Sequence, residues 1–179
     1  MPPRAAKKSS RRKKTPEPQL IDMNPQKVVT VTTRGNPNRM GSRVMPTLYG
    51  SVHLLRSEMK RQGKDFKVKA LRARWPDSDR VPREEWTGIW ALPVPEDTMD
   101  VPQKIPEIPV ELQTWEYGTV AQILHIGPYK TEGKTVEKLR HFIEENGYEI
   151  AGAHEEEYLT RPTAKVQRTV IRYPVKKRV

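Results

Sequence analysis

The spacing of apolar residues changes along the chain, and each change marks a predicted strand or helix. β-Branched residues fill the run KVVTVTT at residues 27–33, which predicts a strand. Apolar residues then recur every three or four positions over 46–62, which predicts an amphipathic helix closed by Gly63. The apolar stripe of this helix consists of Leu48, Tyr49, Val52, Leu55 and Met59.

Two more strands are predicted in the first half, at residues 66–75 and 86–92. The residues at 34–38 and 76–83 are typical of turns and loops. In the second predicted strand, Trp86, Gly88 and Trp90 share one face, because alternate residues of a strand point the same way. Five prolines between positions 93 and 109 exclude regular structure there and favour an extended, semi-rigid linker.

The second half repeats this order of elements. Gly127-Pro128 ends a β-prone run, and helical spacing follows in Val136, Leu139, Phe142 and Ile143. Gly147 is placed as a helix C-cap, and extended runs follow at 148–159 and 165–174.

Together the two halves predict an α+β fold of two βαββ units. The units span 27–93 and 114–175, with the linker at 94–113, in a folded domain covering 19–179. We expect a pseudo-twofold arrangement, with one antiparallel sheet that carries both helices on one face. A ligand groove is expected on the other face or at the pseudo-twofold.

The charge of +11 lies mainly at the chain ends. Residues 4–14 supply seven positive charges and 176–178 supply three, so the rest carries only +1. Residues 1–18 are too polar to fold alone and are predicted to be a disordered tail. Two interpretations of residues 4–14 stay open, a solvated tail or a weak, salt-sensitive contact with nucleic acid or an acidic surface.

Cysteine and histidine contents restrict the chemistry. The chain has no cysteine, and its four histidines do not form a metal-binding motif, so neither a disulfide nor a metal site is expected. No cofactor is predicted. No apolar run approaches membrane-spanning length, and a cytoplasmic location without membrane contact is expected.

The run HEEEY at 154–158 contains the most informative candidate residue. In a strand, His154, Glu156 and Tyr158 share one face, and Glu155 and Glu157 point to the other. Glu156 is therefore either a solvated charge at a strand end or a carboxylate held beside an aromatic ring. Core packing is the alternative for Trp75, Trp86, Trp90 and Tyr49, and a structural hydrogen bond is the alternative for His125.

The motifs HIGPY (125–129), NGYEIAG (146–152) and EEEYLTRP (155–162) resemble those of the GyrI-like small-molecule-binding family. Residues 47–68 are similar to the helix and following strand of its stand-alone members, and the resemblance covers 27–174. The family is related to the effector-binding domains of AraC- and MerR-type regulators. Some stand-alone members are cyclopropanoid cyclopropyl hydrolases, which detoxify DNA-alkylating natural products.

The resemblance assigns roles to individual residues. It implies that Glu156 is the pocket carboxylate, with Tyr158 beside it and Trp75 and Trp86 lining the cleft. Related members carry a further tryptophan where this chain has Gly88. Trp90 lies on the same face and is expected to take that place. The remaining predicted ligand contacts are Tyr129, Tyr117 and Tyr49.

Three functions follow as hypotheses. The first is binding of planar aromatic or cationic xenobiotics in an aromatic groove, because a buried carboxylate and ring faces both attract such ligands. The second is hydrolysis of cyclopropanoid compounds, with Glu156 activating water. The third is an interaction protein that associates with gyrase or DNA through the basic tail. The oligomeric state is not predicted.

Overall fold

A strand–helix–strand–strand order occurs twice in residues 15–179, the part of the chain that the computed structural model describes. The first half contains β1 (Gln19–Met23), β2 (Gln26–Arg34), α1 (Pro37–Arg61), β3 (Leu71–Trp75) and β4 (Thr87–Pro93). The second half contains β5 (Glu111–Trp115), β6 (Gly118–Ile126), α2 (Glu132–Glu145), β7 (Tyr148–Ile150), β8 (His154–Tyr158) and β9 (Arg168–Lys177).

Eight strands from these described residues form one antiparallel sheet in the order β1, β6, β9, β8, β3, β4, β2, β5. The short β7 pairs with the end of β9. The halves meet where β8 pairs with β3, and the strands on either side follow in matching order. The predicted α+β fold with two βαββ units in one antiparallel sheet is confirmed.

The connections require the sheet to curl. β1 and β2 lie near opposite edges of the sheet, yet only two residues join them, and the same is true of β5 and β6. Short connections of this kind bring the two edges close together. The sheet therefore has an enclosed inner face and an outer face.

The inner face is filled by an apolar cluster and by paired charges. Val28, Ala91 and Val120 are fully buried in the apolar cluster. Beside them, Glu155 accepts 2.8 Å bonds from both Arg74 and Arg172. The side chains of this cluster and these ion pairs therefore occupy the inner face.

The outer face carries both helices. Leu48 and Val52 of α1 are fully buried in one core cluster, which they share with Leu92. Leu139 and Ile143 of α2 are buried in a second cluster. Each helix thus covers its own half of the sheet, as expected for amphipathic helices.

Several predicted boundaries were wrong. Helix α1 begins at Pro37 rather than at residue 46, because Asn36 caps it by accepting a 3.0 Å bond from the Asn38 backbone, and Pro46 lies within the helix. The strand predicted at 66–75 begins only at Leu71, and β1 was not predicted.

The proline-rich residues 94–110 have no helix or strand, and they pack against α1. Thr47 of α1 donates a 2.8 Å bond to the Ile108 carbonyl, and Ser51 accepts one of 3.0 Å from the Lys104 backbone. Gln103 fixes a turn by bonding both backbone groups of Val110. The segment is thus attached to the first half.

The predicted tail is described only at its end. Lys138 of α2 donates to the Pro16 carbonyl at 3.1 Å and pairs with Glu17 at 2.9 Å. This part of residues 1–18 therefore lies against α2. The predicted nucleic-acid contact at 4–14 lies outside the described residues.

Candidate functional site

A cavity of about 860 Å³ opens between α1 and α2, above the junction of β8 and β3. It lies on the face that carries the helices, which corrects the expectation that the groove would occupy the opposite face. The physical reason is that each helix covers only its own half, so the junction between the halves stays open. The cavity lies instead at the pseudo-twofold between the halves, which was the other position expected from the sequence.

The two helices form opposite walls of the cavity, and corresponding positions of each helix face it. The first, fifth and ninth residues of each line the cavity, namely Pro37, Gly41 and Met45 of α1 and Glu132, Val136 and Arg140 of α2. Residues four apart share a helix face, so one stripe of each helix is turned toward the cavity. The α1 wall carries no charge at these positions, whereas the α2 wall carries two ionisable side chains.

Glu156 lies on the cavity floor, and its side chain is only 12% exposed. Its carboxylate accepts a 2.6 Å bond from the Tyr158 hydroxyl and a 2.9 Å bond from His154 Nε2. Burial opposes the charge, but the hydrogen bonds from His154, Tyr158 and Glu132 hold the pKa of Glu156 below its ordinary value. The carboxylate is therefore ionised and held in one position.

A hydrogen-bonded chain connects this carboxylate to the α2 wall. His154 Nδ1 lies 2.7 Å from the Tyr173 hydroxyl, so the imidazole bridges Glu156 and Tyr173. Arg140 in turn donates to the Tyr173 oxygen at 3.5 Å, and its guanidinium lies 5.6 Å from the centre of that ring. The carboxylate and the positive charge of Arg140 are thus linked through two side chains.

Glu132 brings a second carboxyl group to Glu156. Burial, and then the negative charge of Glu156, raise the pKa of Glu132 to about 9. A hydrogen bond between the two carboxyl groups raises the pKa of Glu132 and lowers that of Glu156, so Glu132 keeps the proton and directs it at the ionised Glu156. The cavity therefore contains one ionised and one protonated carboxyl side by side.

Three tryptophans form a contiguous aromatic part of the lining. The rings of Trp75 and Trp90 meet edge to face with centroids 5.1 Å apart, and Trp86 lies 5.7 Å from Trp75. Trp75 and Trp90 are also part of the α1 core cluster. These residues belong both to the core and to the cavity wall, because each ring is buried on one side and lines the cavity on another.

The side chains around Gly88 explain why this chain has no tryptophan at that position. A Cβ atom at position 88 would lie 2.7 Å from Cζ3 of Trp75 and 3.2 Å from Nε1 of Trp90. These rings therefore occupy the space that a larger residue at position 88 would need.

The structure brings seven of the eight predicted ligand contacts to the cavity: Glu156, Tyr158, Trp75, Trp86, Trp90, Tyr129 and Tyr49. Tyr129 lies edge to face on Tyr158 with centroids 5.7 Å apart. Tyr117 is not among the lining residues. Its hydroxyl lies on the inner face, where it accepts from Arg72 at 2.7 Å and donates to Glu155 at 2.9 Å.

His125 has a structural position. Its side chain bonds Thr135 at 2.8 Å and the Pro128 carbonyl at 3.1 Å, so it fixes the turn that leads into α2. This turn carries Tyr129 and places Glu132 at the start of the helix. The residue therefore supports the site without lining it.

Sequence reasoning did not identify Glu132, Arg140 and Tyr173. The available signal was the spacing of four residues that places Glu132 and Arg140 on the same helix face as Val136. An acid at the first position of a helix is also explained by the helix dipole, so its position alone does not indicate a ligand site.

Within residues 15–179, no three acidic or histidine side chains are grouped so that they could hold a metal ion. Neither of the two helices in that range has the length and apolar character that a bilayer crossing requires.

Comparison with known proteins gives consistent matches in fold. The sequence model of the GyrI-like small molecule binding domain matches residues 16–176. An uncharacterized conserved protein from Listeria innocua is 22% identical, over 89% of this chain and 92% of that chain, with a TM-score of 0.79. No curated protein sequence matches the chain.

Two other solved structures share the fold. A protein described as a hydrolase from Listeria innocua is 22% identical over 89% of this chain and 92% of its own, with a TM-score of 0.75. The C-terminal domain of EcmrR is 16% identical over 91% of this chain and 99% of its own, with a TM-score of 0.67. At these identities the likeness establishes the fold alone.

Proposed function

The chain belongs to the GyrI-like family of small-molecule-binding domains, and from that premise we propose that its cavity binds planar aromatic or cationic compounds, as a protein that sequesters xenobiotics would. The observation that carries this proposal is the position of Glu156, an ionised carboxylate at the floor of an aromatic cavity. Seven predicted contact residues surround the same space.

The lining explains how flat cations would be held. Ring faces attract a cation by roughly 0.5–2 kcal/mol per contact, with the larger values where water is excluded, and they impose few directional requirements. The cavity volume of about 860 Å³ lies within the range of pockets that take drug-sized ligands. Because Glu156 already accepts bonds from Tyr158 and His154, it attracts a cation mainly by charge. This combination supports selection by shape and charge.

Filling the cavity tests this proposal without changing its charge. Val136 lies on the α2 wall, so Val136→Phe should weaken binding of both N-methylacridinium, a planar cation, and N-methylacridone, its neutral counterpart. Val166 is 53% exposed and outside the lining, so Val166→Phe is the matched control. Dye fluorescence titration measures both affinities, with circular dichroism to check folding. Equal binding by the folded Val136→Phe variant and wild type would place the ligand elsewhere.

A second candidate function is hydrolysis of cyclopropanoid compounds, and the carboxyl pair is the observation that favours it. Glu156 has the ionised form that a general base needs, and Glu132 has the protonated form that a general acid needs. Water would lose a proton to Glu156 and attack the cyclopropyl carbon. The ring bond would break toward the conjugated carbonyl, whose oxygen would take up the proton from Glu132.

Mass spectrometry of the product tests this activity. We expect a duocarmycin-type substrate to gain the mass of one water with the wild-type protein and to remain unchanged with Glu156→Gln. Substrate recovered intact from the wild-type protein would reject hydrolysis for this compound class. Binding without turnover would leave the sequestration proposal in place.

A further inference from the structure

We infer that a cationic ligand enters this cavity in exchange for the proton that Glu132 and Glu156 share, so that Glu132 sets how the site responds to ligand charge. This inference rests on the proposed function, because it needs a ligand in the cavity. It gives a role to Glu132, which is not among the ligand contacts predicted from the sequence.

The two carboxyl groups of the pair differ in their hydrogen-bond partners. Glu132 is the first residue of α2, and its Oε1 is fully buried without a conventional donor among residues 15–179. Its neighbour Glu156 already accepts bonds from Tyr158 and His154. Two carboxylates this close repel each other in a poorly hydrated space, and one shared proton removes that repulsion.

The surrounding charges do not replace the proton. The other ionisable groups that line the cavity come from β8 and the loop after it, β9, both helices, the turn before α2 and the loop between β3 and β4: His154, Tyr158, Arg161, Tyr173, Tyr49, Arg140, Tyr129, Arg83 and Asp79. Of these, Arg83 is the one whose positive charge lowers the pKa of Glu132, and burial and Glu156 outweigh it. The pair thus retains its proton without a ligand.

Charge balance gives the direction of the exchange. Before binding, the pair holds one negative charge and one proton. When a cation binds, Glu132 releases that proton to solvent, and the second carboxylate balances the ligand, so the net charge of the pair and its occupant is unchanged. A neutral ligand gives no such compensation, and the proton stays. Affinity for the cation should therefore rise with pH by up to about tenfold per unit below the pKa of Glu132, and affinity for the neutral ligand should not.

Calorimetric titration in two buffers of different ionisation enthalpy measures the exchange. At about pH 7, wild-type protein should release up to about one proton on binding N-methylacridinium and none on binding N-methylacridone. Glu132→Gln keeps a hydrogen-bond donor next to Glu156 but has no proton to lose, so it should bind the cation without release. Glu145→Gln, on the exposed side of α2, is the matched control and should behave as wild type.

The outcomes separate the inference from the proposed function. Cation binding with no proton release by the wild-type protein would overturn the exchange and leave ligand binding intact. Failure of both dyes to bind would contradict the proposed function itself. His154 is a further titratable group bonded to Glu156, so His154→Gln tests whether the histidine is the source of the released proton. Release that persists in His154→Gln supports Glu132 as the source, whereas release that is lost there and retained in Glu132→Gln would assign the proton to the histidine.

Discussion

Glu156 on β8 lies directly opposite Ala73 on β3, in the strand pair that joins the two halves of the sheet. Ala73 is fully buried beneath the cavity, so this residue pair gives the site a carboxylate from the second half and no polar group from the first. The helices differ in the same sense, since Glu132 begins α2 and Pro37 begins α1. A nearly symmetric fold thereby gives an asymmetric site, with its carboxyl pair in the second half.

The carboxyl pair predicts a pH-dependent stability. Because the pKa of Glu132 is raised to about 9 in the folded protein, its contribution is fully present below the unfolded value of 4.5 and is lost as pH rises toward 9. Glu132→Gln removes this loss, so its unfolding free energy relative to wild type should increase with pH. The increase should be up to about 1.4 kcal/mol per pH unit in that window.

Urea unfolding at about pH 6 and about pH 8 measures the difference. The exposed Glu145→Gln variant should parallel wild type at both values. If Glu132→Gln also parallels wild type, Glu132 is already ionised in the folded protein, and the shared proton does not exist.

Gly88 should be intolerant of a side chain. In Gly88→Ala, the new Cβ would meet the buried ring of Trp75 at 2.7 Å, and we expect a loss of about 1–3 kcal/mol from overpacking. Gly133 has no atom within 4 Å of an added Cβ and lies in α2, so Gly133→Ala should be neutral or stabilising by up to about 1 kcal/mol. Thermal unfolding of both variants measures this difference in stability. Equal stability of the two variants would mean that the tryptophans can shift at no cost.

The ion pairs inside the curled sheet should be essential for stability. Glu155 is 1% exposed and bonds both Arg74 and Arg172, so Glu155→Ala leaves the buried Arg172 and the half-buried Arg74 with fewer partners. Loss of one member of such a network costs about 3–5 kcal/mol.

The exposed pair of Glu17 and Lys138 is the matched comparison, since an exposed pair contributes at most about 1 kcal/mol. Chemical unfolding should show a large loss for Glu155→Ala and a small one for Glu17→Ala. Similar small losses would mean that the inner face is hydrated.

Local patterns predicted the floor of the site well. The alternation in β8 places His154, Glu156 and Tyr158 together because the two-residue period of a strand is independent of its partners. The contacts inside the curled sheet join distant strands and were not predictable from local pattern. Nothing in the sequence showed that Arg72 and Arg172 point into a closed inner face, where they meet Glu157 and Tyr117.

The prediction of the groove face failed for that same reason. Both helices were predicted on one face of the sheet, so the other face was expected to be open, and Tyr117 was expected to reach the ligand. Curling of the sheet buries that face and leaves the junction between the helices as the open space. Glu132 was missed because its partner Glu156 lies on a different element, 24 positions later in the chain.

The affinity of N-methylacridinium relative to N-methylacridone, in wild type and in Glu156→Gln, tests the central claim most directly. Burial, the larger cause of the raised pKa of Glu132, persists in Glu156→Gln, so at about pH 6 this variant should have no ionised carboxyl at the cavity floor. We predict that it loses about tenfold in affinity for the cation, about 1.4 kcal/mol, and keeps its affinity for the neutral dye. An equal effect on both dyes, or none on either, would contradict the assignment of Glu156 as the charged anchor of the site.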